Sequence, residues 1–221
     1  MIDAVLGAGG HGRELIELLR DAASPTGGPD REMVVLDDDP ELHGTRVGGV
    51  AVAGPLSMLT RLGPEVSCYL GVGYPEVKRR IFEAVPGVPV DWPPAVHRFS
   101  AIGGDVEVGR GVLVQAGCVV TTGVKVGGFA TLNVGATVSH DCTVAEWATL
   151  SPGVHIAGNV SIGEGAFLGI GASVIQNVRI GAWSVVGAGA LVLEDVEPHS
   201  VVVGVPARPI PTYKKGSHGS P

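Results

Sequence analysis

The sequence predicts two architectures in tandem: an α/β domain of about one hundred residues, then an all-β domain built as a parallel β-helix. Three observations carry this. From Ile102 to Val192 an aliphatic residue returns at every sixth position, sixteen times without a slip. Ahead of it, the first forty residues run in the order strand, glycine turn, helix, strand, acid. Glycine is frequent, at 35 of 221 residues, and aromatics make up only 5%, which suits a narrow coil with many tight corners.

A period of six fits neither an amphipathic helix nor an alternating strand; it fits a short strand plus a corner, repeated. Three such sides close a triangular coil of about 18 residues, so the stretch makes roughly five coils. A small or medium residue follows each aliphatic one by four positions, as in Cys118, Ala136, Cys142, Ala166 and Ser184. Each coil covers its neighbours, with hydrogen bonds running between coils about 4.8 Å apart.

In the first domain, Ile2 to Leu6 reads as a buried strand leading into Gly7-Ala8-Gly9-Gly10-His11-Gly12. A helix follows from His11 to about Ala22, with Leu15, Ile16, Leu18 and Leu19 on its apolar face. A second strand, Met33 to Leu36, ends in Asp37-Asp38-Asp39. Together these make a Rossmann-like nucleotide site: the glycines let the backbone approach a ligand, the helix N-terminus offers amides to phosphate, and the carboxylates accept from sugar or base. The alternative is a tight βα turn with no ligand.

An edge segment at Val47 to Val52, a helix from Pro55, a strand from Ser67 to Val72 ending at Gly73, and a helix from Pro75 to Val85 complete the domain. This is about half of a full dinucleotide fold, too little for bound NAD. Asp91-Trp92-Pro93-Pro94 reads as a stiff linker. The expected boundaries are 1–97 for the α/β domain, 98–210 for the β-helix with its C-terminal tail, and 211–221 for a disordered end.

The net charge of −7 argues against a nucleic-acid or anionic-membrane partner. Neither a signal peptide nor a membrane span is visible, so the expected compartment is the cytoplasm. Cys68, Cys118 and Cys142 give no disulfide framework, and the last two fall on the inward small position, as core residues would.

The outward residue with most chemistry is His140, in Val138-Ser139-His140-Asp141-Cys142. One coil later stands Gly158, so the histidine would sit beside a sterically open amide. A base and an N–H donor are what acyl transfer requires. Asp141 could orient the imidazole, but neighbours on an ideal strand point apart, so this contact demands corner geometry. An exposed histidine is equally compatible with an inert surface position. His155 would stack on Thr137 and suits a corner or interface; His97 and His199 flank the solenoid and read as structural. Gln115 and Asn133, each second in its repeat, carry no assigned role.

The run Ile162-Gly163-Glu164-Gly165-Ala166-Phe167 and its continuation Leu168-Gly169-Ile170-Gly171-Ala172-Ser173 resemble the hexapeptide-repeat acyltransferases, which implies a left-handed helix. With Gly7 to Gly12, Leu36-Asp37-Asp38, Ser139-His140-Asp141, Ala157-Gly158-Asn159-Val160 and Gly204-Val205-Pro206-Ala207-Arg208, the whole chain resembles the sialic-acid O-acetyltransferase-like family, in its nucleotide-amino-sugar N-acetyltransferase branch. The resemblance implies an acetyl-CoA-dependent homotrimer without metal, serving surface-polysaccharide or glycan assembly. It implies His140 as base, Asp141 tuning it and Gly158 as oxyanion donor. It also implies substrate contacts at Gly9, Gly10, His11, Asp37, Asp38 and Gly73, and acetyl-CoA contacts near Gly158, Ile170 and Ala188. Arg208 could meet a coenzyme phosphate. Many relatives carry a second histidine, contacting the acetyl thioester, where this chain has Thr149, so the resemblance also implies Thr149 as an acetyl-CoA position. The alternatives are a hydroxyl acceptor, a zinc hydratase on the same helix, and a non-catalytic scaffold.

Overall fold

The computed structural model describes residues 1–23, 31–63, 65–85 and 87–210. The chain divides into two compact units, Met1–Arg98 and a second beginning at Phe99. The expected disordered tail, 211–221, lies outside the described residues.

The first unit holds β1 (Ile2–Leu6), α1 (Gly10–Ala23), β2 (Glu32–Leu36), β3 (Arg46–Val47), β4 (Val50–Gly54), β5 (Val66–Leu70) and α2 (Pro75–Ala84). The sheet order is β3-β4-β2-β1-β5, parallel except for the β3–β4 hairpin. Ala4, Val5 and Leu6 are fully buried, as a central strand covered on both faces requires. Leu15, Ile16, Leu18 and Leu19 are buried along α1. The chain steps outward from β1 to β2 and then crosses back to β5. The carboxyl ends of β1 and β5 therefore flank the point where strand order reverses, which is where parallel sheets bind ligands.

Three expectations for this unit change. The segment at Val47 to Val52 is a hairpin turning at Gly48 and Gly49, both at positive φ (53° and 79°), as a two-residue I′ turn needs. The helix from Pro55 is a single 3-10 stretch, Leu56–Arg61, anchored by Leu56 and Leu59 in the core. Asp91 is no linker: Cys68 N donates to its carbonyl at 2.8 Å and its own amide donates to Val66 O at 3.0 Å, so it extends the sheet beyond β5. Trp92 packs on Phe82 with ring centroids 5.4 Å apart. His97 and Arg98 both reach Asp21, at 3.3 and 2.7 Å, a structural tie onto α1.

The second unit is a parallel β-helix of two-residue strands, one every six residues from Ala101–Ile102 to Leu191–Val192. Pairing advances by 18 residues, as in Thr137↔His155 and Val138↔Ile156. A first face carries the strands in register with Thr137–Val138, a second those with Thr143–Val144, and a third those with Thr149–Leu150. The third continues into Val201–Val203 and the antiparallel Arg208–Pro209.

Every aliphatic knob from Val114 to Val192 is at most 4% exposed, whereas Ile102 and Val108, on the first coil, are only half-buried. Cys118 and Cys142 are buried, and the one polar residue in the small inward column, Ser184, satisfies its hydroxyl by donating to Gly181 O at 2.7 Å. Because each coil is sealed by the next, Leu150→Ala, at a fully buried site, will cost about 2–5 kcal/mol in denaturant unfolding. Ile102→Ala, at the open end, will cost clearly less; equal losses would show that the coils do not shield one another.

The corners hold their third residue in the left-handed region, often glycine but also Phe129 (φ 59°), Trp147 (64°) and Trp183 (56°). Aromatic residues there sacrifice about 1–2 kcal/mol each. Stacking offsets part of it: Phe129 and Trp147 lie 4.4 Å apart and nearly coplanar, at 5°. Gly111 leaves the space that the Phe129 ring fills, and Gly165 does the same for Trp183.

Candidate active site

The corner between the first and second faces carries Ser139-His140-Asp141-Cys142. Ser139 N donates to Ile156 O, Asp141 N to Thr122 O, and Asn159 N to His140 O, so this corner is bonded to the coils on either side. Asp141 takes a left-handed φ of 58°, which aspartate tolerates better than most residues. That turn removes the obstacle an ideal strand poses: the carboxylate swings back until Oδ2 lies 2.8 Å from His140 Nδ1. An ionised carboxylate can only accept, so the contact assigns the proton to Nδ1 and leaves a lone pair on Nε2.

Gly158 sits where the stacking register places it. A methyl group there would come within 2.5 Å of both Cε1 and Nε2 of His140, so the imidazole edge lies directly on this glycine. The Gly158 amide donates to no acceptor among the described residues, while its carbonyl accepts from Asn177 N. An imidazole edge and a residue with an uncommitted N–H are thus neighbours. His140 and Asp141 are 61% and 69% exposed in the single chain, so a reacting group can approach them.

The first unit presents a separate cluster at the carboxyl edge of its sheet. Its glycines divide into two kinds. Gly7, Gly12 and Gly71 are packing glycines: a methyl on Gly12 or Gly71 would strike the Gly7 carbonyl, and one on Gly7 would press on Val72. Gly9, Gly10 and Gly73 have nothing within 4 Å of a would-be methyl, so space stands beside each of them. His11 places Nδ1 3.3 Å from Glu14 Oε2, holding that carboxyl below its usual range, while His11 Nε2 is buried with no partner among the described residues.

Asp37 is largely committed as a brace: Oδ2 accepts from Ala8 N at 2.8 Å and Oδ1 from Asp39 N at 2.9 Å. Asp38 accepts from Leu56 N through Oδ1 only, at 2.9 Å, so its second oxygen is the more available acceptor.

Other positions are spread over the column. Thr149 is 3% exposed on the third face, a different face from either strand adjoining His140. Ile170 is 63% exposed, and Ala188 is exposed directly above it, with Gly189 N donating to Ile170 O. They form the corner between the third and first faces. Arg208 lies 4.0 Å from Glu194 and remains more than half exposed. His155 stacks on Thr137, Nδ1 to Oγ1 at 2.9 Å. Among the described residues no group of three or more His, Cys, Asp or Glu is placed to hold a metal ion, and no helix is long and apolar enough to cross a membrane. Sequence reasoning gave no role to Gly123, Asn159 and Asn177, which stack with Asp141 and share its left-handed φ; counting back 18 residues from Asp141 and forward 18 and 36 would have found all three.

Comparison with known proteins agrees with both units. Residues 4–85 match the PglD N-terminal domain family, and residues 159–194 the bacterial transferase hexapeptide (six repeats) family. A search of curated proteins returned no match. Among solved structures, the acetyltransferase domain of PglB from Neisseria gonorrhoeae is 32% identical, over 95% of this chain and 99% of that one, with a TM-score of 0.86. PerB from Caulobacter crescentus, solved with CoA and GDP-perosamine, is also 32% identical, over 95% and 97%, with a TM-score of 0.85. WeeI from Acinetobacter baumannii is 28% identical, over 95% and 100%, with a TM-score of 0.84. The chain belongs to the hexapeptide-repeat acetyltransferases that carry a PglD-type N-terminal domain, the group of the nucleotide-amino-sugar N-acetyltransferases.

Proposed function

We propose that this protein transfers the acetyl group of acetyl-CoA to the amino group of a nucleotide-linked amino sugar. The observation that carries the reading is the His140–Asp141 pair with the imidazole edge lying on Gly158, whose amide has no acceptor among the described residues. The amine attacks the thioester carbonyl carbon, and the new C–N bond forms as the carbonyl electrons move to oxygen. The Gly158 N–H donates to that oxyanion. Nε2 accepts the proton of the attacking nitrogen, and Asp141 supports the imidazolium that results. The oxyanion collapses, the C–S bond breaks, and the thiolate takes the proton back from His140, leaving an amide and free coenzyme A. No covalent enzyme intermediate is needed.

The nucleotide is held at the switch point of the first unit, beside Gly9, Gly10 and Gly73, where no side chain stands in the way, with His11 and Asp38 as polar contacts and Asp37 bracing the glycine turn. Ile170, Ala188 and Arg208 bind the coenzyme. The Ile170 corner and the His140 corner are different edges of one column, so a neighbouring copy in a trimer can supply one wall of the coenzyme groove. Thr149, buried and lacking an imidazole, leaves the thioester to the Gly158 amide. Three free, buried cysteines suit the reducing cytoplasm, where this reading places the enzyme.

The test is release of coenzyme A thiol from acetyl-CoA with a panel of UDP- and GDP-linked 4-amino sugars and their 4-hydroxy counterparts. Turnover confined to amino sugars supports the proposal. Turnover with hydroxyl acceptors alone would move the protein to O-acetylation, and turnover with none would favour a binding scaffold.

A further inference from the structure

The carboxylate of Asp141 is more than two-thirds exposed, yet it must hold one orientation to meet His140. The room for that orientation lies one coil away. A methyl group on Gly123 would sit 2.8 Å from Asp141 Oδ1, so one carboxylate oxygen rests over this glycine while the other meets the imidazole. The Gly123 corner is itself pinned: Thr122 Oγ1 and Gly123 N donate to Asp105 Oδ2 at 2.8 and 3.0 Å. These bonds hold the Asp105 carboxyl below its usual range. Thr122 O in turn receives the Asp141 amide.

We propose that Gly123 is a positioning residue, a seat whose missing side chain leaves the Asp141 carboxylate the room to aim at His140 Nδ1. The inference rests on the acetyl-transfer reading of the His140 corner. The atom a side chain at 123 would displace is the end of a flexible carboxylate, so the fold yields easily and the loss falls on the His140 contact. His140 is thus fitted between two glycines: Gly158 gives room to the ring, and Gly123 gives room to the group that orients it.

Gly123→Ala is the test, with Gly135→Ala as the strain control, since Gly135 has a matching φ of 69° against 66° and nothing within 4 Å. Nitrogen NMR shifts of the neutral His140 ring read the orientation without substrate: wild type and Gly135→Ala should show the Nδ1-protonated tautomer, and Gly123→Ala a mixture. Turnover of Gly123→Ala should fall by about 10-fold or more, the scale for outer-shell partners. KM for both substrates should stay within about twofold, and no further loss should appear on an Asp141→Ala background. An unchanged tautomer in Gly123→Ala, or an equal loss with and without the Asp141 carboxylate, would overturn the assignment. Absence of turnover in wild type would instead count against the acetyl-transfer reading, with the NMR comparison still deciding the seat.

Discussion

Replacing His140 with alanine will lower turnover by about 10²–10⁴-fold, the range lost when a positioned general base is removed. The fold should be untouched. The side chain is 61% exposed and stands outside the stacked aliphatic core, so its removal opens no cavity. Among the described residues its ring bonds to Asp141 alone, whose exposed carboxylate can turn to water. The check is steady-state turnover alongside thermal unfolding: a large loss in kcat with an unchanged melting transition identifies chemistry rather than stability. A variant that retains wild-type turnover would remove His140 from the mechanism and leave the corner as a surface feature.

Gly158→Ala is the second large effect. Gly158 does not occupy the left-handed region, so alanine meets no backbone penalty there. The conflict is with the ring, because the new methyl would lie 2.5 Å from both Cε1 and Nε2. An imidazole moved aside by that methyl leaves its carboxylate partner, and the methyl crowds the amide assigned to the oxyanion. Losing one oxyanion donor costs about 10²–10³-fold, so a loss of at least that size is expected with little change in unfolding. Gly153→Ala, in the left-handed region with nothing nearby, tests the opposite case: backbone strain without a clash at His140. Wild-type turnover in Gly158→Ala would mean that the imidazole edge does not work from where it rests.

The β-helix was readable because its physics repeats: one knob per strand must face inward, so the period is written directly into the chain. The stacking of His140 on Gly158 followed from the same count of 18 residues. The left hand of the coil has no signature in the spacing and comes only from the resemblance. Less legible were contacts set by what lies over a residue. Asp91 looked like part of a proline linker, but its backbone pairs with β5 across more than twenty residues of sequence. Lys78, followed in sequence by Arg79 and Arg80, is 1% exposed, and burial draws its ammonium down to about 7. Phe129, Trp147 and Trp183 occupy left-handed corners that composition would assign to glycine, because ring stacking between coils is invisible along the chain. Asp37 and Asp38 looked equivalent, and only the structure shows that Asp37 spends both oxygens on backbone amides.

The central claim is that the acetyl group goes to nitrogen. It is tested most directly by letting the enzyme consume acetyl-CoA with a nucleotide-linked amino sugar and exposing the isolated product to alkaline hydroxylamine, which cleaves oxygen esters. An amide survives this treatment, and an acetylated product unchanged by it is the predicted result. Release of acetyl hydroxamate would reveal an ester and contradict the account.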